Sequence, residues 1–349
     1  MNRITIIFFL FGVLILGACK VDPKIIEPLP ADNLAEVIPE GWPQPKYTYS
    51  VNTISEDKFV LGRALFYEEM LSVDNTISCG TCHQDFAAFA HAEHKVSHGI
   101  FDRVGIRNAP GIFNLTWHPV FMHDGGINHI ELQPLGPISN TLEMGADINP
   151  VIAKLQASSK YQNLFRKAYG NDTVTSQKML RAMTVFMGLI YSYNSKFDYY
   201  KRKENNVELS DAEQRGYSLF TANCSGCHTE PLFSDFGFKS NGLTVDPFYQ
   251  DSGRVHITGL PQDRYKFKTP SLRNIAKTAP YMHDGRFTTL NECLDHYTNA
   301  IPNLTNLDPS IPTNGYQFTA QNKQDIIAFL HTLTDYKLLG DKRFADPNF

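Results

Sequence analysis

Two short runs constrain this chain more than anything else in it: Cys79-Gly-Thr-Cys82-His83 and Cys224-Ser-Gly-Cys227-His228. Each supplies what covalent attachment of a c-type haem needs. Two thiols form thioethers to the porphyrin vinyl groups, and the adjacent imidazole becomes the proximal iron ligand. A dithiol redox pair or a zinc site is the competing reading, but a four-thiolate zinc centre leaves both histidines without a task. Two runs in one chain imply two haems and redox chemistry.

The chain has room for both. At 349 residues it fits two moderate domains, and 42% hydrophobic content with 24 Phe can fill a core in each. A formal net charge of −4 argues against nucleic acid as a partner and names no other. There are 6 Cys; outside the two runs only Cys19 and Cys293 remain, so this is not a disulfide scaffold. Cys293 reads as a small apolar packing residue.

Residues 1–19 read as a lipoprotein signal peptide. Arg3 opens a positive n-region, Ile4 to Leu16 form a short apolar run, and Leu16-Gly17-Ala18-Cys19 resembles a bacterial lipobox. The run is too short to span a bilayer as a mature helix. The expected location is the periplasm or cell envelope, with membrane contact through a lipid anchor at Cys19 alone; an ordinary cleaved signal is the alternative. Residues 20–52, with Pro23, Pro28, Pro30, Pro39, Pro43 and Pro45, read as a Pro-rich tether.

Helical signals dominate from there. Ser55-Glu56-Asp57 caps a segment bearing Phe59, Leu61, Leu65 and Phe66. Asn149-Pro150 opens a helix expected to run to a stop at Gly170, and residues 176–193 form an apolar helix. Ser210-x-x-Glu213 and Thr289-x-x-Glu292 are capping boxes. Ile326, Ile327, Phe329, Leu330 and Leu333 mark a last helix. Strand signals are sparse, so the fold class is all-α.

An internal repeat organises the chain. Leu61-Gly62-Arg63-Ala64-Leu65-Phe66 precedes the first haem run, followed by Arg107-Asn108-Ala109-Pro110 and Phe121-Met122-His123-Asp124-Gly125. Arg215-Gly216-Tyr217-Ser218-Leu219-Phe220 precedes the second, followed by Leu272-Arg273-Asn274 and Tyr281-Met282-His283-Asp284-Gly285. Two homologous haem domains are implied, residues 53–203 and 204–349, with the boundary near Lys201 to Asn206.

In these elements the chain resembles the bacterial di-haem cytochrome c peroxidase family, which contains the MauG-type enzymes, over roughly residues 53–335. The resemblance implies two cytochrome c-like domains with one covalently bound haem c each. The N-terminal domain would be peroxidatic and the C-terminal one would relay electrons. It also matches Gln133, Pro137 and Glu143 to the family's distal peroxide pocket. Chemistry agrees with the match: cleaving a bound peroxide needs a base to move a proton to the outer oxygen and a donor to hold the departing hydroxide. Glu143 suits the first task and Gln133 the second.

The sixth iron ligands stay open. Spacing alone suggests methionine, with Met282 for the second haem. Aligning the helix after Tyr281-Met282-His283-Asp284-Gly285 places Tyr297 seven residues beyond Leu290, where MauG-type members carry a tyrosine ligand. A phenolate is a harder donor than a thioether and favours ferric iron. For the first haem, His91, His94 and His98 share the loop in which other members carry a histidine ligand, and His98 lies nearest the expected place. His123 stands where other members carry an inter-haem Trp, which leaves Trp117 as a possible aromatic relay. The resemblance further implies one calcium ion between domains, on the Asn108 side chain and the Thr278 and Pro280 carbonyls; oxygen donors suit a hard cation.

Three functions follow as expectations. The first is reduction of hydrogen peroxide to water with electrons from a small donor protein, a cytochrome c or a copper protein. The second is MauG-like oxidation of a protein or organic substrate through a high-valent iron state. The third is a tethered electron carrier, which Gln133 and Glu143 argue against. A homodimer is compatible with each.

Overall fold

In the computed structural model, residues 34–301 and 306–347 are described. The expected signal peptide, Cys19 and the start of the expected tether lie outside them. The longer helices are α1 (Glu56–Phe66), α2 (Ile148–Ala157), α3 (Ser159–Tyr169), α4 (Ser176–Gly188), α5 (Lys196–Arg202), α6 (Asp211–Asn223), α7 (Leu290–Thr298) and α8 (Ala320–His331). Among the described residues the sheet is one antiparallel pair, β1 (Phe238–Lys239) with β2 (Phe267–Lys268). No described helix is long and apolar enough to cross a membrane.

The capping signals act as read. Ser55 accepts from the Lys58 N–H at the start of α1, and Ser210/Glu213 and Thr289/Glu292 close reciprocal capping boxes on α6 and α7. Two expectations need correction. The helix expected from Asn149 to Gly170 is broken at Ser158, whose extended backbone ends α2 and starts α3. The helix expected over 176–193 stops at Gly188, because the following segment is pulled into backbone pairing: the Asn114 N–H donates to the Ile190 carbonyl, and Asn114 Oδ1 accepts from the Ser192 N–H.

Two cores result, each built on a helix pair. In the first, α1 crosses α4, with Phe59, Phe66, Phe165 and Phe186 buried. In the second, α6 crosses α8, with Phe197, Phe220, Phe233 and Phe329 buried. A glycine sets each crossing. A Cβ on Gly62 would sit 2.0 Å from the Ala182 carbonyl oxygen, and one on Gly216 would sit 1.9 Å from that of Asp325. The obstacle in both cases is backbone, which cannot rotate away. Gly62→Ala and Gly216→Ala are therefore expected to destabilise by about 1–3 kcal/mol, despite the ~1 kcal/mol that alanine gains in helix propensity. Denaturant unfolding of the holoprotein checks this, and unchanged stability would mean the helices part at little cost.

The structure corrects the internal alignment of the repeat. Arg107-Asn108 does not correspond to Arg273-Asn274. The true counterpart of Asn274 is Asn114: both are buried, both are left-handed (φ +57° and +53°), and both cap a one-turn helix. Met122 and Met282 then correspond, at φ +66° and +71°, each beside a matched bridge, Phe121 with Ile127 and Tyr281 with Phe287.

Packing also divides the chain differently from a cut at 203/204. Phe197 of α5 belongs to the second core, and Leu338 and Phe344 return to the first. Arg63 and Tyr67 donate to the Arg343 and Phe344 carbonyls. The described part of the expected tether is laid on the fold: Tyr49 and Asn52 are buried, and Lys46 and Tyr47 donate N–H bonds to the Thr116 carbonyl. Trp42 packs edge-on to Trp117 at 5.1 Å, and Trp117 Nε1 donates to the Pro43 carbonyl.

Candidate functional site

The two Cys-X-X-Cys-His runs fold alike. In each, the histidine N–H donates to the carbonyl of the first cysteine at 2.9 Å, winding the run into one helical turn. The imidazoles are then pinned the same way. His83 Nδ1 meets the Phe89 carbonyl at 2.7 Å, with Pro110 beside it. His228 Nδ1 meets the Phe233 and Pro270 carbonyls, both at 3.2 Å. A carbonyl only accepts, so Nδ1 carries the proton in both rings and Nε2 keeps a free lone pair. That is the tautomer a metal-ligating histidine needs. Burial lowers both imidazoles, His83 to about 4, so both stay neutral at physiological pH.

The thiols are raised rather than activated. Burial pushes Cys79 up to about 12 and Cys82 to about 11, with nearby Glu143 adding to both; burial pushes Cys224 to about 12 and raises Cys227. A dithiol redox pair needs the opposite shift. Thioether attachment through paired thiols, with a neutral histidine next to them, fits this donor set.

Glu143 stands beside the first pair. Burial raises its carboxyl, opposed by the Asn140 hydrogen bond and the Arg107 charge. Asn140 Nδ2 donates to its Oε1 at 3.0 Å. Gln133 and Pro137 belong to the same local unit. The short helix Leu135–Ser139 follows Gln133, and the chain folds back so that the Met144 N–H donates to the Pro137 carbonyl and the Ala146 N–H to that of Ile138. All three residues matched to the distal pocket thus share one helix and turn.

The histidine loop adjoins this unit. The Ile100 N–H donates to the Glu143 carbonyl, and Cys82 Sγ lies 3.7 Å from the His98 carbonyl. His91 and His94 stack at 4.2 Å, and His98 is edge-on to His94 at 5.0 Å. His91 is buried while His94 and His98 are exposed.

At the second pair, both proposed ligands converge. Asn241 Nδ2 lies 3.3 Å from Tyr297 Oη and 3.5 Å from Met282 Sδ. Burial pushes Tyr297 up to about 12, opposed by the Asn241 bond and reinforced by Cys293, Cys224 and Cys227. Tyr297 therefore faces the second cysteine pair.

Between the cores, Arg107 forks onto Asp251 at 2.6 and 2.9 Å and reaches Asp124 at 2.5 Å. Asp124 comes from the Met-His-Asp-Gly repeat, which sequence reading noted without giving this residue a task. His123 Nε2 donates to the Asn108 carbonyl, and its own carbonyl accepts the Lys268 N–H. His283 stacks on Phe267 at 3.7 Å. Trp117 is buried against Leu232 and Phe236, next to the second haem run. Asn108 donates its amide to the His94 and Lys95 carbonyls and its N–H to that of His283. Any cation contact from its side chain falls to Oδ1.

The matching family model, described as di-haem cytochrome c peroxidase, covers residues 56–206. The methylamine utilization protein MauG of Methylorubrum extorquens is 32% identical over 306 residues, 84% of this chain and 82% of that protein. The cytochrome c551 peroxidase of Nitrosomonas europaea is 31% identical over 300 residues, 83% of this chain and 84% of that protein. The chain belongs to the di-haem cytochrome c peroxidase family. A crystal structure of a MauG-like protein associated with microbial copper homeostasis superposes on this family member with a TM-score of 0.79 at 33% identity, covering 89% of this chain and 99% of that one.

Proposed function

We propose that this di-haem peroxidase family member reduces hydrogen peroxide to water, H2O2 + 2 H+ + 2 e− → 2 H2O, with electrons from a small redox protein such as a cytochrome c or a copper protein. Two haem c groups, held by Cys79, Cys82 and His83 and by Cys224, Cys227 and His228, would supply one iron centre that binds the oxidant and one that carries electrons. The observation that carries the reading is Glu143, a half-buried carboxylate near Cys79 and Cys82, held at one oxygen by Asn140.

The chain's own residues divide the proton work. With Oε1 held by Asn140, Oε2 of Glu143 would be free to take a proton from one oxygen of hydrogen peroxide and return it to the oxygen that leaves. The Gln133 amide would hold the outer oxygen as it leaves as water. Pro137 closes the pocket with a side chain that offers no ligand and a nitrogen that carries no proton. Asn108 Oδ1 with the Thr278 and Pro280 carbonyls would hold a calcium ion at the junction. The leader and Cys19 support export and a lipid anchor in the cell envelope.

A second reading is favoured by Tyr297: MauG-type oxidation of a protein or organic substrate. A tyrosine facing the second cysteine pair suits an iron centre held at low potential. Turnover with hydrogen peroxide and reduced cytochrome c separates the two. A rate well above that of free haem is expected, and a rate no greater removes the peroxidase reading.

Tyr297 is the proposed sixth ligand of the second haem. Tyr297→Phe is expected to change that haem's absorption and paramagnetic resonance spectra, while Met282→Leu leaves the oxidised spectrum alone. The reverse result would assign Met282 instead.

A further inference from the structure

The second site contains a residue whose side-chain amide reaches both proposed iron ligands and which no motif covers. Asn241 follows β1, in the loop between the second haem run and the Met-His-Asp-Gly repeat. Its Nδ2 lies within reach of two different groups, Tyr297 Oη at 3.3 Å and Met282 Sδ at 3.5 Å. The rest of the residue is anchored. Oδ1 accepts from the Leu243 N–H at 3.2 Å, forming a local turn, and the Asn241 carbonyl meets His296 Nε2 at 3.0 Å. His296 is the residue before Tyr297 on α7, so Asn241 is tied to the ligand helix by main chain as well as side chain.

We infer that Asn241 is a positioning residue that selects the sixth ligand of the second haem, by donating its amide to Tyr297 and holding Met282 aside. The inference rests on the assignment of Tyr297 as that ligand. One NH2 group faces two candidate ligands that differ in kind. The phenol oxygen is a strong acceptor and the thioether sulfur a weak one, so the amide's preference lies with Tyr297. A hydrogen bond to a ligating oxygen fixes the ring's orientation and tunes the metal through its ligand. The same contact keeps the softer sulfur, which favours ferrous iron, behind the amide. Met282 also sits at φ +71°, an uncommon conformation for a branched-free but bulky side chain, so its backbone is set by the turn rather than by demands of its own.

Two substitutions isolate the amide. Asn241→Asp preserves size and the Oδ1 turn to Leu243 while removing the NH2 donor. Asn241→Leu removes donor and acceptor together. The holoprotein is made with each, haem content is counted from the pyridine haemochrome, and the oxidised spectra and midpoint potential of the second haem are recorded. The expected result is full haem content in both variants with a second-haem spectrum shifted toward that of Tyr297→Phe. In Asn241→Leu the potential should rise, and a further Met282→Leu substitution should cancel that rise. Spectra and potential unchanged from the wild type in both variants would overturn the inference while leaving Tyr297 as ligand. A Tyr297→Phe variant with an unchanged spectrum would instead overturn the ligand assignment on which the inference stands.

Discussion

Glu143→Gln is expected to leave both cysteine pairs loaded and the fold intact, and to slow the reaction with hydrogen peroxide by roughly 10²–10⁴-fold, the usual worth of a positioned acid–base group. The substitution is nearly isosteric. Its amide oxygen can still accept the Asn140 bond seen at 3.0 Å. What is lost is the ability to take up a proton. Stability is not expected to suffer, because burial raises the Glu143 carboxyl above the usual carboxylate range. A group shifted that way is held in its charged form at a cost at neutral pH, and a neutral side chain relieves it. The same shift fixes the pH dependence. A base must be ionised to act, so the wild-type rate should fall as pH drops through the raised value, at a higher pH than an exposed glutamate would give. In the variant that limb should be absent. Stopped-flow mixing with peroxide across pH, alongside thermal unfolding, checks both. A variant that reacts at the wild-type rate would remove Glu143 from its role.

The parts of this molecule legible in its sequence are those where chemistry fixes the local pattern. A haem run admits little variation in spacing, and the capping boxes at Ser210 and Thr289 satisfy backbone donors that every helix start exposes. Gln133, Pro137 and Glu143 were singled out through the family match, and the structure puts them in one local segment around the short helix Leu135–Ser139. What stayed hidden depends on depth and on partners far along the chain. Spacing could not say that Tyr297 and Met282 point into one pocket, because they reach it from different elements; Asn241, which joins them, carries no sequence signal. The carbonyls of Phe89, Pro110, Phe233 and Pro270 that set the histidine tautomers are main chain and invisible to any motif. The repeat was misaligned because Arg-Asn occurs twice, whereas the structural mark is the left-handed asparagine. The expected tether shows a signal that could have been used: Trp42, Tyr47 and Tyr49 are large aromatic side chains that gain by burial, and prolines alone do not make their segment a free linker. A charged stretch such as Lys201 to Asn206 marks solvent exposure and says nothing of packing, and Phe197 just before it belongs to the second core.

Asp198→Ala is expected to cost about 3–5 kcal/mol of stability, the usual penalty for stripping one partner from a buried ion pair. Arg273 is 1% exposed and Asp198 5%. The guanidinium forks onto the carboxylate at 2.7 and 2.9 Å, and Nε donates to the Pro231 carbonyl at 2.9 Å. Asp198 also accepts from the Ser195 N–H and hydroxyl, so it caps α5 as well. Trp42 lies over the guanidinium at 4.6 Å, which places part of the expected tether on this pair. Without Asp198 the arginine stays charged in the interior with no counter-ion. Replacing both partners with Asp198→Ala and Arg273→Met should recover part of the loss, because the stranded charge is then gone. The pH dependence follows from the direction of the shift. Arg273 and the Ser195 bonds hold the Asp198 carboxyl below its ordinary value despite burial. Its contribution is therefore present above the unfolded-state value and lost as pH falls through the lowered one. The stability gap between wild type and Asp198→Ala should narrow in acid and stay constant near neutrality. A readout at the second haem tests the reach of the pair. Arg273 follows Pro270 by three residues, and the Pro270 and Phe233 carbonyls pin His228 Nδ1. Loosening that segment should broaden the second haem's ligand-field signals while leaving the first haem unchanged. Equal disturbance of both haems would show that the pair supports the whole fold rather than the second site.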